Sequence, residues 1–391
     1  MLIERRIRGA VCLSVHPQGC EELVQEQITF MRSRPRVAGG PRKALILGAS
    51  TGYGLSSRIA AAFGCGAATV GVFYERPADD DRTASAGWYN SAFFEQFAHQ
   101  QGLDAWSING DAFSDAIKEQ TLELLRQHTG PVDLVVYSLA APRRGPYSSA
   151  LRPIGKPYTN KTVNVQNGQV YETSVPPATE EDIAGTVAVM GGEDWKLWMD
   201  ALGKAGLLAP GVRTVAYSYI GSTITAPIYR EGTIGKAKEH LEATAHVLDA
   251  ELAGSGGRAL VAVNKAVVTT ASAAIPFVPL YIALLYRVMK ERGTHEGCIE
   301  QIDRLFRERL YTGAAVPVDA EGRIRLDERE LDPDVQAEVG RRWQQVTTEN
   351  LPELADFNGY REELSRICGF DNPRVDYGSD VDPKVAIPSL R

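Results

Sequence analysis

The sequence predicts an α/β protein built on a doubly wound parallel sheet, with a long insertion and a helical C-terminal extension. Six short runs rich in β-branched and apolar residues each precede a helical pattern, as in parallel sheets covered by crossover helices. A glycine-rich turn follows the first run directly, which is where sheets of this kind bind a nucleotide. Right-handed crossovers would then wind the sheet in both directions from its centre.

The same patterns predict the elements in chain order. The predicted strands are 43–47, 69–74, 105–108, 133–138, 213–217 and 258–263. The predicted helices are 21–31, 53–63, 91–101, 114–127, 233–252, 296–311 and 333–350. Within a long connection, Asn167-Gly168 predicts a two-residue hairpin turn and Thr179 a helix N-cap.

We expect four parts in the chain. They are a leader packing on the core (1–40), a dinucleotide-binding core (41–141 and 212–275), an insertion (142–211), and substrate-side helices with the C-terminal extension (276–391).

Composition and charge exclude several classes of protein. A net charge of -7 without a basic stripe argues against nucleic-acid binding. Two prolines and Arg287 interrupt the apolar segment 271–289, so it is not expected to span a membrane. Five scattered cysteines without CxxC spacing predict no disulfide framework and no zinc site, and they favour a reducing, cytoplasmic location: Cys12, Cys20, Cys65, Cys298 and Cys368. His16 near Cys12 and Cys20 lacks a fourth ligand, so we predict no metal.

The strongest motif is the glycine-rich turn after the first strand. Gly48 permits the turn, Gly52 lets backbone amides approach a diphosphate, and Gly54 allows close helix packing. The alternative is a turn that is merely structural. The predicted cofactor-binding residues of this motif are Gly48, Ala49, Ser50, Thr51, Gly52 and Tyr53.

Strand ends supply the other candidate cofactor residues. Tyr74 and Glu75 end the second strand, and the Glu75 carboxylate could bind both adenosine ribose hydroxyls and repel a 2′-phosphate, which predicts NADH. The alternative is an exposed strand-end glutamate, and Arg76 could weaken the preference. Asp111 and Ala112 follow the third strand and would face adenine, and Leu139 and Ala140 follow the fourth and would face ribose.

A tyrosine and a lysine form the candidate catalytic pair. An ammonium near a tyrosine hydroxyl stabilises the phenolate and can hold the nicotinamide ribose. The Tyr-x3-Lys spacing of ordinary ketone reductases fails here, because Thr233 occupies the fourth position after Tyr229. Lys236 would share the face of Tyr229 on a continuous helix, whereas Lys238 requires a break, which Pro227 and Gly232 permit. From spacing alone, both lysines remain open.

These motifs, together with several further segments, resemble one family, the long enoyl-acyl-carrier-protein reductases and trans-2-enoyl-CoA reductases. These segments are HPQGC, GASTGYG, INGDAF, YSLAAPRR, VAVMGGEDW, the Tyr-x8-Lys element, KAVVT, AIPFVPLY, KERGTHEGCIEQ and LADFNGY, nearly end to end. The resemblance implies that Tyr229 is the catalytic proton donor, that Lys238 is its partner on the cofactor side and that Tyr219 contacts substrate. It also implies that Ala266, Val267 and Val268 join the cofactor residues above.

The expected reaction is NADH-dependent reduction of the trans-2 double bond of an enoyl-CoA or enoyl-acyl-carrier-protein thioester, the last reductive step of fatty acid elongation. Tyr229, with Tyr219 nearby, would stabilise the enolate. The segment 271–289 would form the acyl-chain wall, with Ala274 as the position at which enlargement shortens the accepted chain. We expect a monomer, acyl carrier protein as a possible partner, and no flavin, because no second dinucleotide motif appears. The alternatives are a carbonyl or hydroxyacyl reductase on the same scaffold and a non-catalytic NADH sensor.

Overall fold

A computed structural model describes residues 1–8 and 11–390. The strands, numbered in chain order, are β1 (Ile7–Arg8), β2 (Val11–Cys12), β3 (Lys43–Leu47), β4 (Ala68–Phe73), β5 (Ala105–Asn109), β6 (Val132–Tyr137), β7 (Arg143–Arg144), β8 (Tyr147–Ser148), β9 (Tyr158–Val163), β10 (Val170–Val175), β11 (Leu208–Ser218), β12 (Arg258–Val263) and β13 (Arg323–Arg325).

The helices are α1 (Pro17–Arg32), α2 (Gly52–Ile59), α3 (Ala86–Gln100), α4 (Asp115–Leu124), α5 (Glu180–Met190), α6 (Glu193–Lys204), α7 (Thr233–Leu252), α8 (Val278–Glu291), α9 (Cys298–Arg304), α10 (Pro333–Gln345), α11 (Leu351–Leu354) and α12 (Phe357–Ile367). Wider π turns continue α2, α4 and α9 through Ala60–Gly64, Leu125–Thr129 and Leu305–Leu310.

A parallel sheet of seven strands forms the centre of the molecule, in the order β13-β12-β11-β6-β3-β4-β5. The chain winds from β3 to one edge and returns through β6 to the other, so the predicted doubly wound sheet is confirmed. The direction reverses between β3 and β6, where open α/β sheets bind ligands. β13 is a three-residue strand with an arginine on either side of buried Ile324, and the sequence pattern does not predict it.

Apolar strands and helices explain why the sheet is buried on both faces. The last four residues of β3 are all buried, as a central parallel strand requires. One large apolar cluster packs α1, α2 and α9 against the sheet. The predicted strands 43–47 and 258–263 and the predicted helix 233–252 are confirmed to the residue, and α1 begins four residues before its predicted start.

The insertion contains the predicted hairpin, but the predicted two-residue turn is wrong. β9 and β10 pair antiparallel with Val163 opposite Val170, so a longer connection joins them. Asn164 organises this connection: its backbone N–H donates to the Gln169 carbonyl at 2.8 Å, and its side-chain oxygen accepts from the Gln166 amide at 2.9 Å. These local bonds outweigh the turn preference of Asn167-Gly168. The predicted cap at Thr179 is confirmed, as a capping box with Asp182.

The last part of the predicted insertion packs on the central sheet. Trp195 and Trp198 of α6 are fully buried, and their indole N–H groups donate to the Thr214 hydroxyl (2.8 Å) and to the Ala112 carbonyl (3.1 Å). β11 already begins at Leu208, so regular core structure resumes before residue 212. The four-part division of the chain stays a prediction.

One disulfide links the two ends of the chain. Cys12 is bonded to Cys368 across 356 residues of sequence, while Cys20, Cys65 and Cys298 are free thiols. The prediction of no disulfide was wrong, because spacing along the chain cannot reveal a pair brought together by the packing of α1 near α12. His16 lies beside this bridge with its ring 4.9 Å from that of Tyr377, and burial lowers its pKa.

Candidate active site

The glycine turn packs directly on the end of β6, but there is free space beside Gly52. A Cβ on Gly48 would lie 2.3 Å from the Ser138 carbonyl oxygen, and one on Gly54 would lie 1.9 Å from the Gly48 carbonyl oxygen. Gly52 has φ +52°, and the nearest atom to a Cβ there is Thr269 Cγ2 at 3.8 Å. The first residue of α2 therefore faces space that a diphosphate could enter at the helix N-terminus.

Glu75 is held in place at the end of β4. Asn109 fixes its backbone with two bonds, accepting from the Glu75 N–H at 2.7 Å and donating to its carbonyl at 2.9 Å. The Ser50 hydroxyl donates to the Glu75 carboxylate at 2.7 Å. These bonds hold the Glu75 carboxylate in one orientation at the strand end. Tyr74, beside it, is 79% exposed.

The remaining strand-end candidates lie along the same edge of the sheet. Asp111 is exposed and its carboxylate accepts from the Phe113 amide at 3.0 Å. Ala112 is buried, and its carbonyl accepts from the Lys118 ammonium at 3.2 Å. Leu139 is half-buried and Ala140 exposed, directly after β6. The supporting contacts of Asn109 and Lys118 were not predicted from the sequence, although Asn109 lies within the segment INGDAF.

The loop after β12 lies against the glycine turn. The Tyr53 hydroxyl donates to the Lys265 carbonyl at 2.8 Å, which ties the loop to α2. The Ala266 N–H donates to Glu330 at 2.6 Å, and the Val268 N–H donates to the Tyr286 hydroxyl at 3.0 Å. The structure therefore brings Ala266, Val267 and Val268 close to Tyr53.

Tyr229 stands outside α7. The helix begins at Thr233, and the preceding residues 223–231 form successive turns. A Cβ on Gly235 would lie 2.0 Å from the Arg230 carbonyl oxygen, so glycine is needed where this turn folds onto the helix. The continuous helix that would favour Lys236 is therefore absent.

The two candidate lysines point in different directions. The Lys238 ammonium donates to the Tyr217 carbonyl at 3.0 Å, and burial lowers its pKa to about 8. Lys236 is exposed and pairs with Glu239 at 2.8 Å. Of the two lysines, Lys238 is the one that reaches the end of β11.

Tyr219 and Tyr229 form a perpendicular pair with ring centroids 4.7 Å apart. Tyr229 is 7% exposed, and burial, with the charge of Glu330, raises its pKa. It belongs to an apolar cluster that includes Ala273, Ile275 and Phe277. Ala274, the position chosen from sequence for narrowing the acyl wall, is exposed, whereas the short 3-10 turn directs Ala273 inward.

Two buried polar side chains at this edge fit a polar ligand group. Among the described residues, the Ser218 hydroxyl and the Asn264 amide have no hydrogen-bond partner. Ser218 is the last residue of β11, and Asn264 directly follows the neighbouring strand β12. The Asn264 N–H donates to the Ser218 carbonyl at 2.9 Å. Buried polar groups without partners are costly, so a bound polar group here would stabilise the site. The residues present thus fit a nicotinamide dinucleotide.

Comparison with known proteins gives matches along nearly the whole chain. Residues 2–80 match the model of the NAD(P)H binding domain of trans-2-enoyl-CoA reductase, residues 82–311 the trans-2-enoyl-CoA reductase catalytic region, and residues 318–381 an enoyl reductase FAD binding domain. An enoyl-[acyl-carrier-protein] reductase [NADH] of Flavobacterium johnsoniae is 55% identical, with 100% of both chains covered. That of Coxiella burnetii is 54% identical over 100% of this chain and 98% of the relative.

Solved structures agree with these matches. The trans-2-enoyl-CoA reductase of Clostridium acetobutylicum in complex with NADH superposes with a TM-score of 0.96 at 43% identity, covering 100% of both chains. That of Treponema denticola in complex with NAD gives 0.94 at 48% identity, covering 97% of this chain and 98% of that one.

Fold and crevice together define the class as nicotinamide-dinucleotide oxidoreductases with a Rossmann-type sheet. Within that class the chain belongs to the family of trans-2-enoyl-CoA reductases and NADH-dependent enoyl-[acyl-carrier-protein] reductases, as full-length identities above 50% show. The resemblance seen in the sequence is therefore confirmed.

The FAD name of the third family model does not fit the residues that it matches. Residues 318–381 form β13 and α10 to α12, and this described segment holds no strand followed by a glycine-rich turn and a helix. Its buried Glu330 accepts from the Ala266 N–H, and its half-buried Glu363 accepts from the Tyr286 hydroxyl at 2.9 Å. This segment contacts the loop after β12 through Glu330.

The described residues contain neither a candidate membrane span nor a candidate metal site. No helix in residues 1–8 and 11–390 is long and apolar enough to cross a membrane. In the same residues, no three His, Cys, Asp or Glu side chains are grouped to hold a metal ion.

Proposed function

We propose that this chain reduces the trans-2 double bond of enoyl thioesters with NADH, with Tyr229 as proton donor and Lys238 as its partner. The observation that carries the assignment of residues is the break before α7, which leaves Tyr229 in the apolar cluster and turns Lys238 toward β11. Family membership supports the reaction, since the relatives are named for it.

The cofactor would extend along the carboxyl edge of the sheet. Gly52 and the start of α2 would receive the diphosphate, and Glu75 the adenosine ribose. Asp111 and Ala112 would border the adenine, and Leu139 and Ala140 the ribose on the nicotinamide side. Ala266 to Val268, together with Ser218 and Asn264, would surround the nicotinamide. When bound, NADH supplies the hydride that adds to the β-carbon of the enoyl group.

Tyr229 would stabilise the charge that develops on the thioester oxygen. Its hydroxyl lies in an apolar environment, where a hydrogen bond to a developing oxyanion is stronger than in water. The raised pKa keeps the hydroxyl protonated at neutral pH, as a donor must be. As the enolate collapses to the saturated thioester, the α-carbon would take a proton that the Tyr229 hydroxyl supplies and then regains from solvent.

Lys238 would act on the cofactor side of the tyrosine. Its ammonium, held by the Tyr217 carbonyl, is placed to bind ribose hydroxyls and to stabilise negative charge nearby. Ala273, Ile275 and Phe277 share the cluster of Tyr229 and would form the wall for the acyl chain.

Both carriers remain candidates, because phosphopantetheine presents the same arm from coenzyme A and from acyl carrier protein. We also propose a monomer, supported by exposed large apolar residues that are scattered along the chain rather than gathered in one segment. A cytoplasmic location stays a prediction.

The test follows NADH oxidation with crotonyl-CoA and, in parallel, with acetoacetyl-CoA as a ketone substrate. The proposal expects turnover of crotonyl-CoA and little of the ketone. Turnover of the ketone alone would establish the carbonyl reductase, and NADH binding without turnover of either would establish the sensor. Rates on matched CoA and carrier-protein thioesters then decide the carrier.

A further inference from the structure

Glu330 is a fully buried carboxylate that reaches three elements of the site. Its Oε1 accepts from the hydroxyls of Tyr219 (2.8 Å) and Tyr281 (2.7 Å), and its Oε2 accepts from the Ala266 N–H (2.6 Å). Tyr219 follows β11, Ala266 follows β12, and Tyr281 lies in α8. One side chain thus joins the tyrosine pair, the cofactor loop and the helix behind the acyl wall.

The surrounding donors fix the direction of each proton. The Gln336 side-chain nitrogen donates to the main-chain carbonyl of Glu330 (2.6 Å) and to the Tyr281 hydroxyl oxygen (3.1 Å). Tyr281 therefore accepts from Gln336 and donates its own proton to the Glu330 carboxylate. An ionised carboxylate only accepts. Burial raises the pKa of Glu330, while its three donors and the nearby Lys265 ammonium act in the opposite direction. The Ala266 N–H and the Tyr281 hydroxyl already donate to one oxygen each, which is the arrangement of a carboxylate that only accepts. The single proton of Tyr219 therefore points at Glu330.

We propose that Glu330 is a positioning residue that holds the Tyr219 proton away from the substrate, leaving Tyr229 as the hydroxyl that donates to the thioester oxygen. The inference rests on the proposed function and assigns separate roles within it. Tyr219 supports the ring of Tyr229 edge to face and can meet substrate with its ring or its oxygen lone pairs.

Replacing this carboxylate by an amide should reverse the arrangement. In Glu330→Gln, the Ala266 N–H requires the amide oxygen on its side, so the amide nitrogen faces the two tyrosine hydroxyls. That nitrogen donates to the Tyr219 oxygen and releases the Tyr219 proton. In a chain that lacks the Tyr229 hydroxyl, Tyr219 then becomes a substitute donor.

The experiment measures kcat for crotonyl-CoA in four variants. Tyr229→Phe alone should lose about 10² to 10⁴ in kcat. Adding Glu330→Gln should restore about tenfold, since a second positioned hydroxyl becomes available. Adding Tyr219→Phe to that pair should remove the gain. Glu328→Gln in the Tyr229→Phe chain is the matched control, because Glu328 pairs with Arg304 and Arg309 instead of the tyrosines. No gain, or a gain that survives without Tyr219, would overturn the inference.

Thermal unfolding with and without NADH shows whether the Glu330→Gln protein is folded. If it is not, Tyr219→Phe alone tests the inference, because this change removes only one hydroxyl. Tyr219→Phe in the otherwise unchanged protein should lower kcat clearly less than Tyr229→Phe does, because Tyr219 contacts substrate without donating its proton. A loss as large as that of Tyr229→Phe would make Tyr219 a donor and end the inference. Failure of the proposed function itself looks different, since the parent protein would then not reduce crotonyl-CoA.

Discussion

The Lys238 ammonium lies 3.0 Å from the main-chain carbonyl oxygen of Tyr217, at the end of β11. This bond places the lysine beside the strand end that leads to Tyr219. It exists because α7 starts at Thr233, four residues after Tyr229. The rotation of the helix then turns position 238 toward the sheet and position 236 toward solvent.

Substitution of each lysine tests this geometry. Lys238→Met should lower kcat by roughly tenfold or more and weaken NADH binding, because the ammonium is lost on the cofactor side. Lys236→Met, the matched control, removes an exposed ion pair with Glu239 and should change neither by more than about twofold. Steady-state kinetics and NADH fluorescence titration measure both. The reverse ranking would contradict the assignment of Lys238.

The pH dependence follows from the same lysine. Burial lowers the pKa of Lys238 to about 8, so the ammonium is present below that pH and is lost as the pH rises through it. We expect kcat/KM for NADH to be flat at neutral pH and to fall above about pH 8. The arginine of Lys238→Arg keeps its charge in this pH range. The fall in kcat/KM above about pH 8 should therefore disappear in this variant, even if its kcat/KM is lower at every pH. A parent profile that stays flat to pH 9.5 would refute the prediction.

Cofactor choice should depend on Glu75. Its carboxylate, oriented by Ser50 and Asn109, repels a 2′-phosphate, so NADH should be preferred to NADPH. Glu75→Ala should narrow the ratio of kcat/KM values by about tenfold or more, mainly through better use of NADPH. Asp79→Ala is the control, since Asp79 pairs with Arg82 in the exposed segment that follows. Equal use of both cofactors by the parent would exclude the role of Glu75.

The acyl wall is tested by neighbouring alanines with opposite exposure. Ala273 is buried in the cluster of Tyr229, whereas Ala274 is exposed. Ala273→Phe should reduce rates on long enoyl chains more than on crotonyl thioesters, and overpacking should cost about 1–3 kcal/mol of stability. Ala274→Phe should leave the chain-length profile unchanged. If a folded Ala273→Phe protein keeps the parent profile, the wall lies elsewhere.

The disulfide predicts a thiol count. In denaturant without reductant, the protein should show three reactive thiols, those of Cys20, Cys65 and Cys298. After reduction the count should rise to five, the number of cysteines in the chain. Cys12→Ser should give four under both conditions, because Cys368 is then free. Five thiols in the unreduced parent would show that the bridge is absent from the protein as purified.

Local patterns determined most of the fold. The apolar run 43–47 and the glycines that follow it specify a buried strand and a tight turn through conformational and hydrophobic preferences of neighbouring residues. The same holds for helix 233–252 and for the cap at Thr179. β13 was not predicted, because three residues are too few to show a strand pattern. The prediction of a two-residue turn was wrong, because Asn164 forms local hydrogen bonds that composition does not reveal.

The candidate site divides in the same way. The sequence by itself predicted that the glycine turn, Glu75 and Tyr229 belong to one NADH-dependent site. The first two were recognised by their positions at strand ends, and Tyr229 by its spacing from the lysines. The choice between Lys236 and Lys238 depended on where α7 begins, which the packing of Gly235 against the Arg230 carbonyl decides. The Cys12–Cys368 bridge and the bonds of Glu330 to Tyr219 and Ala266 join residues distant in sequence. Only the tertiary structure could establish these contacts, because burial and close approach between remote segments arise from packing of the whole chain.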